Sequence, residues 1–256
     1  MAYTNSKLVS YKKISPHKTS PRNHKIDTIT IHCMAGNLSV ETCGNVFQTR
    51  QASSNYGIGS DGRIALYVDE KDRSWATSSS SNDNRAVTIE VANDGGADTG
   101  WHVSGKAMKS LIELITDICK RNDIKELKWS TNKSDRVNHK NGCNMTVHRD
   151  YAAKSCPGDY LYGKHSYIAS EVNKKLKLTT TATASSTTTP ISIKEFKVKV
   201  TVDALNIRKE PSADSKKVGY ITNKGTYTIT KTSGSWGYLK SGAGWINISN
   251  KYVQRL

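Results

Sequence analysis

Two residues eight apart, His148 and Cys156, close the segment from Thr146 to Gly158, and Lys154 stands just before the cysteine. A neutral imidazole and a thiolate are two of the best protein ligands for zinc, and the lysine places a cation at the same spot. A third donor stands far upstream. Thr28-Ile29-Thr30-Ile31-His32 alternates polar and apolar residues with the period of a half-buried strand, and a turn-like Met34-Ala35-Gly36-Asn37 follows. His32 therefore closes a strand, and strand ends are where sites on open sheets form. Two imidazoles and one thiolate would leave a tetrahedral zinc one open position, the arrangement of a catalytic site rather than a closed structural one. The spacing also departs from the zinc-finger pattern. Taken singly, each residue has a plain alternative: a surface histidine, or a cysteine buried as a small hydrophobe.

Such a metal needs a base beside it, and Arg85 to Asn93 offers a carboxylate. The segment reads as a strand with Val87, Ile89 and Val91 on one face and Thr88 and Glu90 on the other. A carboxylate in an apolar strand is costly unless solvated, paired or used. Glu90 is thus either an outward-facing strand residue or a general base next to zinc.

The elements that would position these groups can be read from periodicity. Met108, Leu111, Ile112, Ile115 and Cys119 form one stripe of a helix over Lys106 to Arg121, with Ser104 as its cap. A second helix begins near Ser39, with Val40, Cys43 and Phe47 on one face, and a third spans Tyr167 to Leu176. Helices alternating with strands at 28–32, 64–69 and 86–92 predict an α/β domain. Lys128 to Asn144 is polar and reads as a loop. Cys33, next to His32, should point to the opposite strand face, which makes it a poor ligand. Cys43 and Cys119 read as packing residues. His17, His24, His102, His139 and His165 lack motif partners and read as surface or loop histidines. Trp75 reads as either a groove wall or a buried core residue.

From Thr179 to Pro190 the chain is almost wholly Thr, Ser and Ala, too polar and simple to bury a core, which predicts a flexible linker. Beyond Lys194, the β-branched runs Val198 to Val202, Tyr227 to Lys231 and Gly244 to Ile248 are separated by glycine-rich turns, as in small β-barrels. Residues 194–256 hold 12 Lys/Arg and 4 Asp/Glu, half of the chain's net charge of +16. That density favours a polyanionic partner. No recognised nucleic-acid motif accompanies the charge, so nucleic acid is not the expected partner. The 256 residues suffice for one to two domains, and the 36% hydrophobic content argues against membrane insertion. Met1 to Lys7 lacks the apolar run of a signal peptide, and an odd count of 5 cysteines suits a reducing cytosol.

Five separated segments occur in the order of one family. Ile31-His32, the Ser53 to Ile64 hairpin, Val87-Thr88-Ile89-Glu90, Val147-His148-Arg149-Asp150 and Lys154-Ser155-Cys156-Pro157-Gly158 together resemble the zinc-dependent N-acetylmuramoyl-L-alanine amidases of the type-2 amidase and peptidoglycan-recognition superfamily. The resemblance covers residues 24–176. It implies a central mixed β-sheet flanked by helices, Zn2+ held by His32, His148 and Cys156, Glu90 as catalytic acid/base, and Lys154 with the zinc stabilising the oxyanion. It also implies cleavage of the amide between N-acetylmuramic acid and the L-alanine of the stem peptide. One departure stands out: some members carry a hairpin tyrosine where Ser54 stands, two positions before Tyr56, which therefore reads as a core or wall residue. Asn55 likewise occupies a common histidine position.

Residues 194–256 resemble bacterial SH3-like wall-binding domains through Ala204 to Ser212, Ser235 to Lys240 and Gly244-Trp245-Ile246. The expected organisation is a catalytic domain over 1–177, a linker over 178–193 and an all-β SH3-like barrel over 194–256. The implied partners are peptidoglycan and anionic wall polymers. The implied role is a phage-type endolysin made in the cytoplasm of a bacterial host and acting on the wall after release. The alternatives are a bacterial autolysin of the same chemistry and a recognition protein that binds without cutting.

Overall fold

Strong β-branched runs and one long amphipathic stripe build the first unit around a six-stranded sheet, beside which the short strands Lys18–Thr19 and Arg73–Ser74 pair on their own. A computed structural model describes residues 3–183, 195–211, 215–233 and 235–256. The chain divides into two units, Met1–Ala184 and Ser185–Leu256, each with its own core. In chain order the first unit runs β1 (Tyr11–Lys12), β2 (Lys18–Thr19), β3 (Thr28–Cys33), α1 (Val40–Thr49), β4 (Tyr56–Ile58), β5 (Ile64–Leu66), β6 (Arg73–Ser74), α2 (Ser80–Arg85), β7 (Ala86–Val91), α3 (Gly105–Arg121), α4 (Lys133–Val137), β8 (Met145–Val147) and α5 (Gly158–Thr183). Six strands form one mixed sheet in the order β1-β5-β4-β7-β3-β8, with β4 antiparallel to β5 and the other pairs parallel.

The helices form where their caps and stripes dictate. Ser104 accepts a hydrogen bond from the Ala107 N–H at the start of α3, and Ser39 does the same for the Thr42 N–H at the start of α1. The α3 stripe packs with α5 over Ile29, Ile31, Val87, Ile89 and Val91, and each fully buried aliphatic side chain there contributes roughly 1.5–3 kcal/mol. On the other sheet face, α1 lays Val40, Cys43 and Phe47 against Ala65 and Tyr67.

The alternation in β3 predicts one solvated face, yet all six of its residues are buried. The polar face is covered by a hydrogen-bonded layer instead of water. Thr30 and Thr146 hydroxyls lie 2.7 Å apart, the Asn82 amide donates to Thr30 at 3.1 Å, and Thr146 donates back to Asn82 at 2.9 Å. Buried polar atoms are tolerated when paired in this way. The segment 128–144, read as a loop, contains α4, because Asn132 caps it by accepting from the Ser134 N–H. The last helix starts nine residues before Tyr167, at Gly158, and continues to Thr183, past the expected linker start at 178. Of the expected linker, 184–193 lies outside the described residues.

The second unit is all antiparallel. Its strands are β9 (Phe196–Val200), β10 (Leu205–Arg208), β11 (Lys217–Ile221), β12 (Thr226–Ser233), β13 (Trp236–Leu239), β14 (Trp245–Asn247) and β15 (Val253–Arg255), in the sheet order β11-β10-β14-β13-β12-β9-β15. Val198, Val200, Leu205, Ile229 and Ile246 fill its interior. Among the described residues no helix is long and apolar enough to cross a membrane.

Candidate metal centre

Parallel pairing in register is what brings the first two groups together. His32 on β3 sits opposite Glu90 on β7, and Glu90 in turn sits opposite Gly57 on β4, so all three share the sheet face that carries α1. A Cβ at Gly57 would lie 2.4 Å from the Tyr67 ring, so only glycine lets that ring fill the floor beside Glu90. His148 follows directly on β8, the strand on the far side of β3, and begins the one-turn helix His148–Asp150. A buried ion pair holds this turn. Arg136 donates to both Asp150 oxygens, at 2.9 and 2.5 Å, and Asp150 accepts from the Val147 N–H at 3.2 Å.

The loop before α5 delivers Cys156. Arg149 ties it down, its N–H donating to the Cys156 carbonyl at 3.2 Å and its guanidinium to the Ser155 carbonyl. As a result His32, His148 and Cys156 each place a ligand atom within 4.8 Å of the others. The His32 Nδ1 lies 3.4 Å from the Cys156 sulfur, and the two imidazole centroids are 5.1 Å apart. Glu90 Oε1 stands 4.0 Å from His32 Nδ1.

Three buried atoms at this centre have no hydrogen-bond partner: His32 Nε2, His148 Nε2 and Glu90 Oε2. Orphaned buried polar atoms are rare in folded proteins, and a cluster of them calls for an ion or solvent. Burial, with His148 adding to it, pulls the His32 pKa down to about 3. Burial lowers His148 as well, aided by the Lys154 and Arg50 cations and opposed by Asp83. Both imidazoles are therefore neutral near pH 7, the form that binds metal. The neighbouring Cys33 thiol and burial push the Cys156 thiol up, and burial holds the Glu90 carboxyl well above the usual carboxylate range. The donor set, two neutral imidazoles and one thiol, fits zinc.

The centre opens into a cavity of about 270 Å³. Glu90, His148, Cys156 and Lys154 line it, with Leu38, Val46 and Phe47 on the α1 side and Trp75, 37% exposed, on another wall. A family model described as N-acetylmuramoyl-L-alanine amidase matches residues 22–159, more than half of the chain, and a bacterial SH3 domain model matches 203–254. The chain belongs to this amidase family. It is an N-acetylmuramoyl-L-alanine amidase, and its His32, His148 and Cys156 cluster is consistent with the zinc site typical of the family.

Solved structures similar to the amidase include PlyL, at 16% identity and a TM-score of 0.47 over 63% of this chain and 95% of that one. A mutant endolysin from Bacillus subtilis gives 16%, 0.47, 63% and 97% by the same measures. The endolysin amidase LysCS from Clostridium intestinale URNW gives 18%, 0.45, 69% and 99%. No curated protein matches the chain.

The two positions that depart from the family pattern, Ser54 and Asn55, have structural employment, and so does Tyr56 beside them; Ser54 is buried and donates to the Tyr56 carbonyl at 2.7 Å. Asn55 bridges β4 and β7, accepting from the Thr88 N–H at 3.1 Å and donating to the Val68 carbonyl at 3.2 Å. Tyr56 is fully buried and donates to Glu70 at 2.6 Å, a core residue. Cys33 belongs to the core cluster that holds Ile29 and Ile31, on the sheet face opposite His32, and stands outside the His32, His148 and Cys156 group, although it also lines the cavity. His165, expected at the surface, is fully buried beneath Trp129, its Nδ1 2.7 Å from the Leu161 carbonyl. Arg50, which lines the cavity from the end of α1, carries no local sequence signal, whereas Arg149 sits inside the His148 motif.

Proposed function

We propose that the chain is an endolysin-type, bacteriolytic enzyme that hydrolyses the amide joining N-acetylmuramic acid to the L-alanine of the stem peptide. The observation that carries this reading is the convergence of His32, His148 and Cys156 with the Glu90 carboxylate on one open cavity. In it, His32, His148 and Cys156 would hold zinc, which would supply an acidified water and polarise the scissile carbonyl. Glu90 takes a proton from the attacking water and returns it to the departing amine. Burial suits it to that role, because a raised carboxyl pKa lies nearer the operating pH. Lys154, exposed at the cavity mouth, donates to the carbonyl oxygen as negative charge builds there. The apolar α1 wall and Trp75 exclude water from one side of the bond.

Cys156 within the cluster favours cleavage over recognition without cutting, since a protein that only binds the wall has no use for the thiolate. In this reading the SH3-like unit holds the enzyme on peptidoglycan and anionic wall polymers. The enzyme is made in a bacterial cytoplasm and meets the wall after release. Its five cysteines are free, which fits synthesis in a reducing compartment.

The test is release of L-alanine amino termini from purified walls. Chelation should abolish it and added zinc restore it. Glu90→Ala should keep zinc bound in stoichiometric amount and lower turnover by about 100-fold or more, the usual size of a lost general base. Chelator-insensitive release, or turnover surviving in Glu90→Ala, would overturn the mechanism.

A further inference from the structure

The SH3-like unit carries a row of side chains that its sheet register places side by side across five strands. Lys217 on β11 pairs with Arg208 on β10, Arg208 with Trp245 on β14, Trp245 with Tyr238 on β13, and Tyr238 with Lys231 on β12. Directly opposed residues of antiparallel strands share a face, so the five form one stripe. The stripe faces outward: Lys217 and Lys231 are exposed and the other three half-buried, while their neighbours Ile207, Ile246 and Leu239 point into the core. Adjacent strands lie about 4.8 Å apart, so the row spans on the order of 19 Å.

Its chemistry is cation, cation, ring, ring, cation. Lys217 and Arg208 stand directly opposite each other, a like-charge arrangement that a sheet disfavours for its own stability. No carboxylate among the described residues pairs with any of the three cations. Glu195 and Asp203 are bound to Lys240 and Lys224 at 2.7 and 2.8 Å. The ammonium of Lys217 lies 5.1 Å from the Tyr220 ring centre and that of Lys231 lies 5.5 Å from the Tyr238 ring centre. Arg208 gives one bond to the Ser215 carbonyl at 2.8 Å, which leaves most of its fork available.

We propose that this row binds a phosphodiester-linked anionic glycopolymer of the bacterial wall. The proposal rests on the reading of this unit as wall-binding and names the ligand class and the residues that take it. Sugar rings present apolar C–H faces to Trp245 and Tyr238, while phosphodiester oxygens meet the arginine fork and the lysine charges on either side. An uncharged glycan would leave the three cations unused, and a polyanion without sugar faces would leave the rings unused. Single-stranded nucleic acid stacks successive bases on aromatic faces. Trp245 and Tyr238 meet edge to face, at 64° with centroids 5.2 Å apart, and so present no run of parallel platforms.

The experiment measures binding of the full chain to purified walls that carry such polymers and to the same walls stripped by cold hydrofluoric acid, which cleaves phosphodiesters and leaves peptidoglycan. The triple variant Arg208→Gln, Lys217→Gln and Lys231→Gln is measured beside it, with circular dichroism and turnover of a soluble muropeptide confirming that both units are folded. The native chain should bind untreated walls at least tenfold more tightly than stripped ones. The triple variant should lose that difference, keep its binding to stripped walls and keep its turnover. Equal binding of the native chain to both wall types overturns the glycopolymer while leaving wall binding intact. Binding to neither overturns the wall-binding reading itself. Displacement from untreated walls by single-stranded DNA at equal phosphate concentration as effectively as by the released polymer also overturns the proposal, since the row would then be reading charge alone.

Discussion

Glu90 and His32 stand 4.0 Å apart and are pushed in opposite senses by the same burial. His32, held at about 3, stays neutral in the folded protein while the unfolded chain takes up a proton near 6.5. Stability is therefore lost as pH falls from about 6.5 toward 3. Glu90 acts at the other end. Between the ordinary carboxylate value and its raised folded value, the folded state keeps a proton that the unfolded state has released, so stability falls as pH rises through that window. Glu90→Gln removes the second effect and should stabilise the metal-free protein at pH 7 to 8 while changing little near pH 4. The gain is about 1.4 kcal/mol for each unit by which the folded pKa exceeds the unfolded one. Urea denaturation at the two pH values checks it, and equal gains at both would show that the effect comes from packing rather than ionisation.

At the scale of elements, the centre depends on where β3, β8 and the α5 start meet, and the last of these is the most sensitive. Gly158 opens α5 at φ +80°, two residues after Cys156, and a Cβ there would lie 2.8 Å from the Gly100 carbonyl oxygen. Left-handed backbone costs a residue with a side chain roughly 1–2 kcal/mol before any clash is counted. Gly158→Ala should thus destabilise the catalytic unit by at least that amount and displace Cys156, weakening zinc binding by about 10-fold, the lower end for a lost supporting interaction. Calorimetric titration with zinc and urea unfolding of the same variant measure both, and native values for both would show that the loop absorbs the methyl group. This dependence also explains what was readable in advance. His32, Glu90, His148 and Cys156 stand out because strand periodicity and motif spacing are local signals, and the α3 cap at Ser104 and its stripe are local in the same way. The covering of the β3 polar face is not a local signal. It depends on Asn82 and Thr146 arriving from 52 and 116 residues away to close over Thr30.

At the scale of the whole molecule, the chain has two units with separate cores, and the proposed function divides the labour between a cleft that cuts and a basic sheet that holds. In the proposed function the two units share one chain, so binding by one raises the effective concentration of the other at the same polymer. The gain exists only where both ligands lie on one surface. A chain ending at residue 184 should therefore match the full chain in kcat/KM on a soluble muropeptide, because the cavity and the His32, His148 and Cys156 cluster belong wholly to the first unit. On intact walls the same truncation should slow lysis by 10-fold or more at low enzyme concentration, the lower end of what tethering supplies. The deficit should shrink as salt screens the tail, since the Debye length falls from about 10 Å at 0.1 M to about 3 Å at 1 M. Turbidity loss of a wall suspension, followed against enzyme and salt concentration for both chains, measures this. Equal rates on walls at low salt would mean that the cleft finds its substrate unaided, and a matching loss on the soluble muropeptide would mean that the second unit supports the catalytic fold instead of delivering it.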